Sequence, residues 1–473
     1  MARGIPTHDK VEVPGFSVGG IMSGAASVMR TGSLERAKGP DPKRLNGNHT
    51  SPLAFTSLLF LFFIMYVAPQ ALIPELESLH LAQVSAILAL VTSGKKIISQ
   101  GRRLIVLNQE VKLTVWLVVL AVLSIPFSKW PGGSWASFTD QYSKSVIVFF
   151  LVAILLDSLK QLQRFLWAIA IFTAFNAVVG IHEYLAGSFN SAFERIRGGV
   201  SGMTSNPNDL ALVSNLAIPF VGYLYVTSKA RLAKMLSAGI IAVSVAAIII
   251  TYSRGGFLAL IALLLWFVYV KSMRQGPGAF IRHIAMVFAL LLMLFAFGPE
   301  GYSQRILSTY DTSKDYTGSA QERSKAMIGT AQSMIEHPLG SGLNMHNLLL
   351  HETGLGWAGV HNVYLQYAAD LGIIGGILFL VILLKLLASM RRIRLSTAEA
   401  DRPVAPLAGA TEAALIAFAV AAFFLPVAYN FNFYIIAGLA VAVKGLARHT
   451  VQEHVGPSIQ QRWNPVMSRL KRE

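Results

Sequence analysis

The sequence has no cysteine among its 473 residues. That excludes disulfide staples, thiolate nucleophiles and Cys-ligated metal sites. Charge is scarce as well, at 14% of residues, where a soluble domain carries about 25%. What takes its place is hydrocarbon: 54% of residues are hydrophobic, and many continuous apolar runs approach the ~20 residues that carry a helix across a bilayer. The runs do not alternate polar with apolar, so a β-barrel is excluded. The expected fold is an all-α polytopic membrane protein of about 12 transmembrane helices, over the intervals 52–68, 80–94, 113–128, 144–157, 163–183, 209–227, 235–251, 256–271, 282–298, 364–388, 410–428 and 430–447. The split of the last pair rests on Pro426 and the polar Tyr429-Asn430.

Residues 1–51 are polar, basic and rich in Gly, Ser and Pro. They read as a disordered cytoplasmic tail, with no apolar stretch after the first charges that would make a signal peptide. Residues 52–448 read as the membrane domain and 449–473 as a second cytoplasmic tail. The net charge of +16 has its ordinary cause in cytoplasmic loops rich in Lys and Arg. Scattered over many loops without interleaved aromatics, it gives no expectation of nucleic-acid binding. With the N-terminus inside, 31 of the 40 Lys and Arg fall on cytoplasmic segments, and both termini lie on that side. The outward arginines fall in three loops.

The first cluster holds Arg195, Arg197, Gly198 and Gly199, then Asn206-Pro207-Asn208-Asp209. Asn206 suits a helix N-cap and Pro207 the first helical position. The arginines suit bidentate contact with phosphate oxygens, and glycine beside them permits close backbone approach. The second is Tyr252-Ser253-Arg254-Gly255-Gly256, a tight turn between two apolar runs. Arg254 there either snorkels to headgroups or faces a cavity as a fixed cation for an anionic ligand. The third is 299–361, the longest polar interval between apolar segments. It contains Arg305, a helix-forming run from Gln321 through Arg323 to Met334 suited to the membrane surface, the turn His337–Gly342, and His346, His351 and His361. Spacings of five and ten between these histidines match no zinc arrangement, so no metal site is expected. His361 precedes Asn362 and a helix bearing Tyr364, Gln366 and Asp370, which would hold it at the mouth of the membrane domain. It is a candidate proton acceptor for a hydroxyl, or alternatively a helix cap. The other two histidines read as surface or lid positions. Gly372, Gly375 and Gly376 suit close helix packing.

Three signatures in order, Arg197-Gly198 with Asn206-Pro207-Asn208, Ser253-Arg254-Gly255-Gly256, and His337-Pro338-Leu339-Gly340-Ser341-Gly342 with His361-Asn362-Val363-Tyr364-Leu365-Gln366 leading to Leu371-Gly372-Ile373-Ile374-Gly375, resemble the O-antigen ligase/polymerase superfamily. The resemblance implies a GT-C-like glycosyltransferase in a bacterial inner membrane. Its donor would be a glycan on undecaprenyl diphosphate, passed with inversion at the periplasmic face to a hydroxyl of a glycan, lipid or protein acceptor. No metal, cofactor or nucleotide sugar is implied. By the match, Arg197 and Arg254 would grip the diphosphate and His361 would serve the acceptor hydroxyl. Arg195, Arg305, Arg323, Asn206, Asn362 and Tyr252 are candidates for substrate contact. A secondary transporter or flippase fits the helix count equally. It would place its polar groups near the bilayer midplane, often in repeated halves, whereas here they collect at one face. A non-catalytic assembly scaffold is the third reading. The topology is tested by reporter fusions: a periplasm-only enzyme joined near Tyr310 should be active, and one joined near Arg392 silent.

Overall fold

A computed structural model describes residues 50–187, 196, 198, 202–297, 302, 319–352, 354, 359–396 and 403–454. Arg195, Arg197 and Arg305, both expected tails save Thr50, Ser51 and 449–454, and the remainder of 299–361 lie outside the described residues. Among those described there is helix and no strand. The helices are α1 (Pro52–Val67), α2 (Leu81–Leu107), α3 (Gln109–Ser124), α4 (Pro131–Leu155, with a π-turn at Phe138–Tyr142), α5 (Leu159–Leu185), α6 (Pro207–Thr227), α7 (Arg231–Ile250), α8 (Arg254–Gln275), α9 (Pro277–Phe297), α10 (Ser319–Glu336), α11 (His346–Glu352), α12 (Val363–Leu395), α13 (Ala405–Ala421) and α14 (Phe431–His454). Each of the twelve expected intervals falls on one of them. Among the described residues nine helical stretches are long and apolar enough to cross a membrane, and two more, within α9 and α13, are apolar but shorter. The fold is all-α and polytopic, as composition required.

Continuous helix is forced by the solvent. Hydrocarbon offers no partner to a peptide group, so each must bond within its own segment. Chain ends and turns therefore gather at the two faces of the bundle, where they find caps. The centre is filled by Phe149, Phe165, Phe379, Phe418 and Phe433, all buried. Face-sharing pairs include α6 with α7, α13 with α6, α12 with α13, and α14 with α4. At one face, buried or half-buried ion pairs tie the helices together: Lys96 with Asp157, Glu110 with Lys444, and Arg394 with Glu412. Ser389 donates to the same Glu110 carboxylate at 2.6 Å, so this charge is satisfied by α12 as well as α14.

The opposite face carries the described parts of the three motif clusters. Asn208 on α6 accepts from Ser253 before α8 at 2.9 Å. The amide of Val363, first residue of α12, donates to Ala422 at the end of α13 at 2.8 Å. Phe424, in the same turn after α13, lies where a Cβ on Gly255 would stand 2.7 Å away. The turn 422–424 thus joins the starts of α8 and α12.

α12 is not one helix. Gly372 has φ 74° and ψ 173°, a break that leaves Val363–Leu371 as a separate short helix. The sequence reading of Gly372 as a packing glycine is corrected here. Gly372 is a hinge point in the left-handed region, which non-glycine residues enter only with strain. The turn Pro338–Gly342 occupies the break. Ile373 donates to Pro338 at 3.2 Å, Ser341 to Ala369 at 2.9 Å and Gly342 to the Asp370 carbonyl at 2.9 Å. A Cβ on Gly372 would meet the Pro338 carbonyl at 2.6 Å, and one on Gly340 would meet the Gly372 amide at 2.4 Å. Gly372→Ala should lower the thermal midpoint of the detergent-solubilised protein. Backbone strain alone supplies about 1–3 kcal/mol, and scanning fluorimetry measures the change.

Candidate functional site

The strand of backbone leading into α8 is shaped by its caps. The Ser253 side chain accepts from the Gly256 amide at 3.2 Å, replacing one of the orphan donors of a helix start. Gly256 lies so close to α6 that a Cβ would stand 2.5 Å from Ala211, and Asn215 donates to the Gly256 carbonyl at 3.0 Å. Tyr252 takes φ 53°, a conformation a non-glycine residue holds only when its surroundings impose it. Its ring lies 5.8 Å from that of Tyr302, which is buried. Arg254 is therefore the first residue of a helix whose start is fixed on two sides, and it is half-buried. A cation at the positive end of a helix macrodipole is unfavourable by about 0.3–1 kcal/mol. With the starts of α6 and α12 drawn to the same region, positive potential collects there.

Arg195 and Arg197 lie outside the described residues, but their neighbours are fixed. Ile196 is buried against Leu210, Ala177 and Ala247. Gly198 donates to Thr204 at 3.1 Å, and a Cβ on it would meet Leu210 at 2.6 Å. The glycine expected to make room for a ligand makes room for α6 instead. Asn206 was a candidate for substrate contact. Its Oδ1 accepts from Asn208 and Asp209 at 2.9 and 3.0 Å and its amide bonds the Asp209 carboxylate, so the side chain is committed as a cap.

His361 ends the polar interval and is half-buried. The cap of α12 is Asn362, whose Oδ1 accepts from Leu365 at 3.0 Å. The alternative that His361 is itself the cap is thereby excluded, and Asn362, buried in that duty, is less open to a substrate than expected. His361 Nδ1 is buried and makes no hydrogen bond among the described residues. Burial, then the charge of Arg323, then that of His346, pull the His361 pKa down from 6.5 to about 4. The imidazole is neutral at physiological pH, the state in which it can accept a proton. The charge of Arg323, on α10, thus reaches His361.

Gln366 and Asp370 are bonded to groups other than His361. Gln366 donates to Asn344 at 3.4 Å and accepts from Ala428 at 3.2 Å. Asp370 accepts from the amide and from Nδ1 of His346, at 2.8 and 3.0 Å, and from Tyr429 at 3.1 Å. Both are fully or nearly fully buried. His346 is thus a core residue, which corrects its reading as a surface or lid position; His351 is exposed as expected. The same loop is pinned from its other side. Lys129 donates to Ser341 at 2.9 Å, Ser134 donates to Leu343 at 3.1 Å, and a Lys129–Glu352 ion pair spans 3.0 Å. Residues 337–346 form a fixed wall. Among the described residues no group of three or more His, Asp or Glu is placed to hold a metal.

Residues 216–380 match a family model described as O-antigen ligase. The matched segment includes Tyr252, Arg254, Arg305, Arg323, His361 and Asn362, and begins after Arg195, Arg197 and Asn206. No curated protein matches the chain. The match supports the superfamily read from the motifs and, in general terms, a role in glycan transfer for this multi-pass membrane protein.

The depressed His361 pKa has a sign that can be checked. Protonation favours the unfolded chain, whose histidine titrates near 6.5, so this contribution to stability is present above about pH 6.5 and is lost as pH falls toward 4. Peptide-resolved histidine hydrogen exchange should give His361 a midpoint near 4, and Arg323→Ala should raise it.

Proposed function

From an O-antigen ligase segment that carries Arg254 and a neutral His361 at one end of the bundle, we propose that the protein transfers a glycan from undecaprenyl diphosphate to an acceptor hydroxyl at the periplasmic face. What supports this reading is a pairing within the matched segment: a cation at a helix start, and a half-buried imidazole whose pKa is pulled down by burial and by neighbouring charge.

The acceptor oxygen attacks the anomeric carbon as the bond from that carbon to the diphosphate oxygen breaks. The electron pair leaves on the diphosphate, and attack from the face opposite the leaving group inverts the anomeric centre. Negative charge grows on the diphosphate, where pre-placed guanidinium groups stabilise it most in a site of reduced dielectric. Arg254 supplies one such group and Arg197 a second, with Arg195, Arg305 and Arg323 as further contacts to phosphate or sugar. His361 takes the hydroxyl proton. The lipid tail of the donor stays in the bilayer, which agrees with a site at the end of spanning helices. Tyr252 fixes the approach to Arg254, while Asn206 and Asn362 shape the site as caps.

Arg254→Ala and His361→Ala should each abolish glycan attachment or extension in cells while the protein accumulates in the membrane at its normal level. Arg254→Lys should also be impaired, since a point charge lacks the guanidinium fork. Gel profiles of surface glycan from a complemented deletion strain provide the readout. Normal product from both alanine variants would reject the assignment.

A further inference from the structure

The break at Gly372 divides α12 into a nine-residue piece (363–371) and a piece running from Ile373 to Leu395. At 1.5 Å per residue the second piece is about 34 Å long, enough by itself for the ~30 Å hydrocarbon core. The membrane surface therefore lies near the break. Below it α12 turns Ile373, Ile374, Ile377 and Leu384 outward, as a lipid-facing helix does. Above it, the turn bonded into the break presents Leu339, 85% exposed, and the last turns of α10 present Ile335, 81% exposed, and Ile328, 58% exposed. Ile328 and Ile335 are seven residues apart, two turns of one face. The opposite face of α10 is buried through Ala326, Thr330 and Ser333. The exposed face becomes polar away from the break, through Ser324 and Gln321.

This apolar surface is continuous with the lipid-facing side of α12, since Ile373 is bonded to Pro338 and Gly372 touches Leu339. A second feature marks the same level. The loop bonded to Ser341 carries exposed Phe127 and Trp130 just ahead of α4, the position of an aromatic belt at a bilayer interface.

We propose that the C-terminal half of α10 and Leu339 dock into the headgroup–acyl boundary of the bilayer, making α10 an interfacial anchor. Ile328, Ile335 and Leu339 form its lipid-facing stripe, with depth increasing toward the Gly372 break. Arg323 sits on the same helix, so the anchor fixes its height above the membrane surface. Nothing in the docking depends on the transfer chemistry, and its failure would leave the roles of Arg254 and His361 untouched.

The cysteine-free sequence makes the test direct. Leu339→Cys, Ile335→Cys, Ile328→Cys and Gln321→Cys in the full chain are labelled with bimane and reconstituted into vesicles of phosphatidylcholine with or without brominated acyl chains. Bimane emission should be about halved at 339 and 335, reduced less at 328 and unchanged at 321, as for an inserted amphipathic face. Uniform weak quenching at all four positions overturns the proposal. So does emission at 335 and 339 that ignores bromine and changes only with protein density, the mark of a second copy on this face.

Discussion

The architecture of the polar face depends on one joint, the seating of the Pro338–Gly342 turn in the break at Gly372. Backbone at the edge of a membrane cannot be left without partners. A helix interrupted there frees carbonyls at 369 and 370 and an amide at 373. The turn satisfies all three, and both partners need glycine where they touch. Asp370 extends the joint by receiving His346 and Tyr429, which brings in α11 and the turn before α14. A buried carboxylate is tolerable only when paired and hydrogen-bonded, so its three donors are a requirement of its position as much as a means of holding the loop.

From this joint the site follows outward. The short helix 363–371 is held at its far end by the joint and at its near end by Val363 on Ala422. That fixes Asn362 and, one residue earlier, His361. The neighbouring turn meets Gly255, which relates the start of α8, and with it Arg254, to the same frame. In the proposed transfer, His361 and Arg254 must keep their relative position without help from a membrane-bound substrate. Here they are braced through backbone contacts and caps. The apolar rim on Leu339 and α10 extends the same joint toward the lipid.

The opposite face shows how the net charge is distributed. Basic residues there are not simply solvated. Lys96, Lys444 and Arg394 each meet a buried or half-buried carboxylate, so part of the positive bias is consumed in holding helix ends together. At the polar face Lys129 pairs with Glu352. Arg254 stands at a helix start, and Arg323 acts electrostatically on a histidine.

The helical, membrane-spanning class was legible in the sequence because an apolar run of sufficient length has one stable conformation in hydrocarbon, whatever surrounds it. Asn206 as a cap, with Pro207 first in its helix, was legible for a related reason: a cap acts over three or four residues. Long-range partners were not legible. His346 and Asp370 are 24 residues apart, Lys129 and Ser341 farther still, and nothing in either local sequence names the other. Gly372 read as a packing residue because a glycine within an apolar run looks the same whether the helix continues or breaks, and only the arriving turn decides which. Nor does local sequence name what Gln366 and Asp370 meet, since a helix face serves whatever packs against it, here Asn344, Ala428, His346 and Tyr429. The sequence alone determined that this protein lies in the membrane and which residue types stand ready for chemistry. The tertiary structure decided which of them are consumed in holding the fold, because burial and pairing are properties of neighbours that the chain meets only after it has folded.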